Sequence, residues 1–201
     1  MKSLLLSLLA VPATAQLLLD IQGHDSTDPR RQPQNHLTKR KTVEQDLVQK
    51  FAYYEATVSV GSPGQEIKLL LDTGSSDMWV LGPDVDCGGG GGLFSSGIDC
   101  AASGVFDTSK SSTYQKNESI PFDIQYSDGS ESKGFYGTDN LGIGGTTLKS
   151  FTFAVADTAS DGQAVLGVGP IENEQSLYNE NPVAYANLPM ALLLDLSLIH
   201  I

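Results

Sequence analysis

From Tyr54 to Val60, four apolar residues (Tyr54, Ala56, Val58, Val60) alternate with Glu55, Thr57 and Ser59. A period of two puts each set on its own face of a pleated strand, so this segment predicts a strand with one buried face. Gly61-Ser62-Pro63-Gly64 predicts a tight turn, and Glu66 to Leu71 the returning strand. The stretch "LLLDTGSSDMWVLG", residues 69–82, runs an apolar strand into Asp72, breaks at Thr73-Gly74-Ser75-Ser76 and becomes apolar again at Met78-Trp79-Val80. Further on, "IPFDIQYSDGSESKGFYGTDNLGIGG", residues 120–145, predicts a hairpin that turns at Ser127-Asp128-Gly129-Ser130. Asp-Gly suits the positive φ of a two-residue hairpin loop. "TTLKSFTFAVAD" (146–157) adds a strand, and "AVLGVG" (164–169) a short apolar run that ends in glycines. The only departure from strand is a short 3₁₀ or α turn near Asp107 to Thr113. The pattern is all-β.

The N-terminus does not share this pattern. "MKSLLLSLLAVPATAQ" has Lys2, an apolar stretch from Leu4 to Val11 and the small-x-small sequence Ala13-Thr14-Ala15. It predicts a secretory signal peptide over residues 1–15, being shorter than the ~20 apolar residues that span a bilayer. Residues 16–40 are polar and proline-bearing, with basic pairs at Arg30-Arg31 and Lys39-Arg40. Behind a signal peptide they predict a propeptide cut after Lys39-Arg40, which makes the product a zymogen. Residues 41–201 then carry seven lysines against 21 Asp and Glu, a net charge of −14. Such a surface repels phosphate and argues against nucleic-acid partners, and it discharges as pH falls.

Candidate chemistry narrows by residue type. The two cysteines, Cys87 and Cys100, enclose the glycine-rich "CGGGGGLFSSGIDC" and in a secreted chain predict one local disulfide. Two thiolates with no histidine nearby are too few ligands for a metal site. The three histidines are His24, His36 and His200, so none lies between Lys41 and Ile199. That removes Ser-His-Asp and Cys-His nucleophiles and histidine-ligated zinc, and leaves carboxylates as acid and base. No cofactor is called for. Asn117-Glu118-Ser119 is an N-glycosylation sequon in a polar stretch.

Asp72-Thr73-Gly74-Ser75-Ser76 followed by Trp79-Val80 resembles the first catalytic motif of the pepsin-like aspartic proteases. Tyr126 in "IQYSDGS" resembles the flap tyrosine, and Ala164-Val165-Leu166-Gly167 the hydrophobic-hydrophobic-Gly segment behind the active site. Asp-Thr-Gly alone is a weak signal; these elements in this order, over about Phe51 to Met190, are a strong one. The cysteine loop after Trp79-Val80 and the Asp at 128 resemble the secreted fungal branch, the yapsin and candidapepsin type.

The resemblance implies the N-terminal lobe of a bilobal acid protease over residues 41–190 and a peptide substrate. Asp72 would polarise the attacking water. Gly74 would bring its backbone N–H to the carboxylate, and Ser75 would bond the outer carboxylate oxygen. Thr73 would reach toward the partner lobe. Tyr126 would close over the substrate with its hydroxyl on the Trp79 indole N–H. Ser127, Asp128 and Gly129 would offer flap backbone to an extended peptide, and Val165 would line an apolar subsite. The family's mechanism needs two aspartates that share a proton, yet one Asp-Thr-Gly occurs here.

The second carboxylate is therefore expected from a C-terminal lobe absent from this sequence. Residues 191–201 read as the start of the inter-lobe linker, with 196–201 an adapter-derived tail. The 201-residue chain is expected to be inactive as a monomer, and the full-length enzyme to bind pepstatin. A secreted, extracellular or cell-wall location follows, and the resemblance leaves open a C-terminal lipid anchor. Two other readings compete: a retroviral-type homodimer that pairs two copies of Asp72, and a non-catalytic pepsin-like binding module.

Overall fold

The computed structural model describes residues 43–50, 53–87, 102–160 and 162–196. The predicted signal peptide and propeptide, Cys100 and the end of the tail lie outside them. Among the described residues eight strands appear in chain order: β1 (Leu47–Gln49), β2 (Tyr54–Val60), β3 (Gln65–Asp72), β4 (Met78–Asp86), β5 (Gln115–Gln125), β6 (Glu131–Ile143), β7 (Thr146–Ala159) and β8 (Val165–Gly167). One helix follows, α1 (Leu188–Leu196). A 3₁₀ turn occupies Thr108–Lys110, inside the window the sequence marks.

The strands form one mixed sheet in the order β1-β2-β3-β8-β4-β7-β6-β5. β2 also pairs with β6, at Ser59↔Gly142 and Val60↔Leu141. That contact closes the six strands from β2 to β6 on themselves, so their edges are satisfied within the lobe. The buried core includes Val58, Val60, Ile67, Leu69, Leu81, Leu141 and Phe153 from the strands and Phe106 from the connection after β4.

The alternation fails at the start of β2. Tyr54 is 43% exposed while Glu55 is 6% exposed. Tyr54 is the strand's first residue, beyond the end of the core, and its register partner is the polar Gln49. Glu55 pairs with Val48 on one side and Leu70 on the other, and its charge is met by Lys50 Nζ at 3.4 Å.

The β5–β6 turn also departs from the sequence reading. Gly129 N–H donates to Tyr126 C=O at 3.0 Å and Tyr126 N–H to Ser130 C=O at 2.8 Å. Three residues lie between those two, and only Gly129 has positive φ, at 88°. Asp128 stays at negative φ because its carboxylate is used locally: Oδ1 accepts Ser130 N–H at 2.9 Å and Ser130 Oγ–H at 2.7 Å. The loop is thus a turn followed by a left-handed glycine, not a two-residue loop.

Helix α1 has no counterpart in the strand pattern. Leu188 and Leu192, one turn apart, are buried, while Leu194 is 63% exposed. Asn187 caps it, with Oδ1 accepting Met190 N–H at 3.3 Å. The Asn187 Nδ2 donates to Gly169 C=O at 3.0 Å, so the cap also fixes the helix to the segment beyond β8.

Candidate active site

Asp72 is the last residue of β3, and the chain returns as β4 at Met78. β8 lies between these two strands, parallel to β3 (Asp72↔Gly167) and antiparallel to β4 (Met78↔Leu166). The intervening loop, residues 73–77, is held against the segment that leaves β8. Val168 N–H donates to Asp72 C=O at 2.9 Å, Gly169 N–H to Ser75 C=O at 2.8 Å and Gly167 N–H to Asp77 C=O at 3.0 Å. The Ser76 hydroxyl donates to the Pro170 carbonyl. Two glycines make this approach feasible. A Cβ on Gly167 would sit 2.6 Å from Asp77 O, and one on Gly169 2.8 Å from Ser75 O.

The Asp72 carboxylate is half-buried, and its Oδ1 accepts Gly74 N–H at 2.8 Å. A Cβ on Gly74 would stand 3.2 Å from that same oxygen. Thr73 and Gly74 are exposed. Ser75 differs from the expectation: its Oγ is buried and makes no hydrogen bond to Asp72, and the group it bears on is the Tyr126 hydroxyl. The loop turns inward there, so Ser75 at 8% exposure has entered the protein while Asp72 remains at its surface.

Trp79, 1% exposed, directs its Nε1–H to the Tyr126 hydroxyl at 2.8 Å. This contact is the one expected from the sequence. Burial pushes the Tyr126 hydroxyl up to about 12; the Trp79 bond opposes the shift and the nearby Asp72 charge adds to it. Tyr126 therefore keeps its proton through acid and neutral pH. Ser127, Asp128 and Gly129 are exposed beyond it, though the Gly129 amide is already engaged in the turn. Val165 is only 6% exposed and sits between Leu70 and Trp79, so it offers little surface to a ligand.

The Trp79–Tyr126 bond gives a direct test. Tyr126→Phe removes the acceptor and leaves a buried indole N–H unpaired, which costs about 1–3 kcal/mol. Urea unfolding followed by Trp79 emission should show the loss. Unchanged stability and emission would mean that water replaces the hydroxyl.

The pattern of residues also conceals a group that the sequence reading passes over. Asp77, 1% exposed, accepts from the Tyr136 hydroxyl, from Tyr185 Oη at 2.7 Å and from Gln175 N–H at 2.9 Å. Trp79, Phe122, Tyr136 and Tyr185 form a continuous aromatic row, with ring centroids 6.1, 5.5 and 5.6 Å apart. The row joins the Tyr126 side of the site to the buried side. The available signal was a carboxylate enclosed between Ser75-Ser76 and Met78-Trp79, where a solvated charge is out of place.

A family model described as eukaryotic aspartyl protease matches residues 53–199. The probable aspartic-type endopeptidase opsB of Aspergillus oryzae is 38% identical over 180 residues, 89% of this chain and 35% of that protein. Aspartic proteinase yapsin-3 of Saccharomyces cerevisiae is 34% identical over 152 residues, 73% of this chain and 29% of that protein. Secreted aspartic protease 7 of Candida albicans is 40% identical over 141 residues, 69% of this chain and 22% of that protein. The chain thus spans about a third of the length of the Aspergillus relative. No helix among the described residues is long and apolar enough to cross a membrane. With the closed β-sheet, the Asp72 loop locked on β8 and the Trp79–Tyr126 pair in the family's order, this chain belongs to the eukaryotic aspartyl proteases, the pepsin-like family, and is similar to its fungal members.

Proposed function

We propose that the chain supplies the first catalytic carboxylate, Asp72, of a secreted aspartic endopeptidase that works in acid. The observation that carries this reading is the Asp72 carboxylate held at Oδ1 by Gly74 N–H, 2.8 Å away, beside a tyrosine that keeps its proton. One carboxylate oxygen is thereby fixed and the other is left for chemistry. A second aspartate, from the part of the polypeptide that corresponds to the remainder of the relatives, shares one proton with Asp72. The ionised member takes a proton from water as its oxygen bonds to the scissile carbonyl carbon. The protonated member gives its proton to the carbonyl oxygen. On collapse of the tetrahedral diol the C–N bond breaks, the carboxyl that took the water proton gives it to the leaving amine, and the other carboxylate recovers a proton from a diol hydroxyl as the C=O re-forms, which restores the shared proton.

Tyr126 closes over an extended peptide, the amides of Ser127 and Asp128 bond its backbone, and Thr73 meets the second lobe. The same reading includes a zymogen cut after Lys39-Arg40, a Cys87–Cys100 disulfide and a glycan at Asn117. Asn117 supports that last point, being exposed on β5 with its Oδ1 accepting Ser119 N–H at 3.1 Å.

The test is cleavage of an unfolded protein substrate by the full-length polypeptide and by the 201-residue chain, at about pH 3–5 with and without pepstatin. We expect pepstatin-sensitive cleavage by the full-length protein and none by the shorter chain. Cleavage by the shorter chain that tracks a dimer in the ultracentrifuge would transfer the dyad to two copies of Asp72. No cleavage by the full-length protein would sink the proposal in favour of a binding module.

A further inference from the structure

We propose that Glu174 and Asp77 form a buried, pH-sensitive latch that fastens the segment after β8 to the Asp72 loop in acid and loosens it as Glu174 ionises toward neutral pH. The consequence for catalysis rests on the reading of Asp72 given above; the latch itself does not.

Glu174 lies at the junction of two 3₁₀ turns, Ile171–Asn173 and Gln175–Tyr178, and is 0% exposed. Its Oε2 accepts one long bond, from Tyr185 N–H at 3.3 Å, and its Oε1 has no donor. An ionised carboxylate offers about four acceptor sites, and burying it without partners is costly. The donors of this pocket are already engaged. The Tyr136 and Tyr185 hydroxyls and Gln175 N–H all point at Asp77. Three donors converge on that one carboxyl, and only the backbone N–H groups of Tyr185 and Asn187 are left to support a charge on Glu174.

The groups that bear on Glu174 are Asp77 from the Asp72 loop, the Tyr185 and Asn187 backbone N–H groups and Glu172 from its own segment and, through Asp77, Tyr136 from β6. None of them is a cation. Burial pushes both tyrosines well above their ordinary range, so they remain donors throughout. Burial above all pushes Glu174 up to about 7; the Tyr185 N–H opposes this, and the Asp77 charge adds to it.

The sign follows from linkage. Below the ordinary glutamate value of about 4.3, Glu174 is neutral in folded and unfolded chains alike, and the latch is at full strength. Between there and about 7 the unfolded chain releases the proton while the folded one keeps it, so stability falls as pH rises. Above that value the contribution is gone and two like charges share one pocket.

The segment so released makes much of the wall behind Asp72. It contributes Val168 N–H to Asp72 C=O, Gly169 N–H to Ser75 C=O and Pro170 C=O to the Ser76 hydroxyl. Loosening it therefore reaches the carboxylate through backbone contacts.

Trp79 is the chain's single tryptophan and lies two residues past Asp77, which makes its emission a local reporter. In the 201-residue chain its emission should hold steady from about pH 4 to about 6 and change with a midpoint near 7. Glu174→Gln, which mimics the neutral form, should move that midpoint up by at least about one pH unit. Glu180→Gln, on an exposed carboxylate further along the same segment, should leave it in place. Carbon-13 NMR of the Glu174 carboxyl in the unaltered chain should titrate near 7, a measurement that does not depend on any variant folding. A carboxyl midpoint near the ordinary value of about 4.3 overturns the latch, as does a Glu174→Gln transition at the unaltered pH. Neither readout involves proteolysis. A functioning latch in a full-length protein that cleaves nothing would refute the protease reading alone.

Discussion

Asp72→Asn in the full-length polypeptide should lower kcat by at least about 10⁴-fold, the upper range for a lost acid–base group, with KM little changed. Asparagine is the informative replacement because it separates charge from shape. Its side-chain oxygen can still accept the Gly74 N–H that lies 2.8 Å from Asp72 Oδ1, so the loop keeps its lock. What disappears is the capacity to take and return a proton. The loop's other contacts are backbone bonds to Val168, Gly169 and Gly167, which the substitution does not touch. Thermal unfolding should therefore shift by no more than the equivalent of about 0.5 kcal/mol, as for substitutions that break no packing. Initial rates on an unfolded protein substrate, beside a melting curve of the same preparation, decide the matter. More than a hundredth of the original kcat in a normally melting variant would show that Asp72 is not the carboxylate that moves the proton.

The parts of the site visible in the sequence are those whose residue types are unusual for their place. Asp72 ends an apolar strand and is followed by a glycine two residues on, which marks a carboxylate approached by backbone. Trp79 and Tyr126 belong to different strand pairs, and only the family's order joined them before the structure showed the 2.8 Å bond. The strands from β2 to β8 were legible because alternation is a property of neighbours. Burial of Glu55, exposure of Tyr54 and enclosure of Glu174 were not, since each depends on what another segment brings across: β1 for the first two, Tyr185 and Asp77 for the third. Helix α1 was missed although Asn187 before Leu188-Pro189 is a reasonable cap signal. Its run of leucines has no polar face to show a period of 3.6. Ser75 shows the limit of analogy: the motif fixes which residue stands there, while its buried hydroxyl makes no bond to Asp72.

The second large effect comes from a residue with no functional group. Gly167→Ala would place a Cβ 2.6 Å from Asp77 O and 2.7 Å from both Asp77 N and Ser76 C. All three are backbone atoms of the loop that follows Asp72, so no flexible side chain can yield. Either β8 moves away from β3 or the loop moves away from β8. Both motions strain the bonds from Val168 N–H to Asp72 C=O and from Gly167 N–H to Asp77 C=O. Overpacking of this kind costs roughly 1–3 kcal/mol in stability. A displacement of about 1 Å at a catalytic group costs on the order of 100-fold in rate. The full-length Gly167→Ala protein should therefore lose about 1–3 kcal/mol in urea unfolding and about 100-fold in kcat, with all its carboxyl groups intact. Gly145→Ala is the fitting comparison. Its φ is 75°, yet a Cβ there meets nothing within 4 Å, and it lies in the turn between β6 and β7. That variant should lose stability through backbone strain while its folded fraction keeps its full kcat. If Gly167→Ala and Gly145→Ala lost stability and kcat in the same proportion, the close approach of β8 to the Asp72 loop would have no special part in holding the carboxylate. A kcat deficit confined to Gly167→Ala would make the glycine after Leu166 a positioning residue for Asp72.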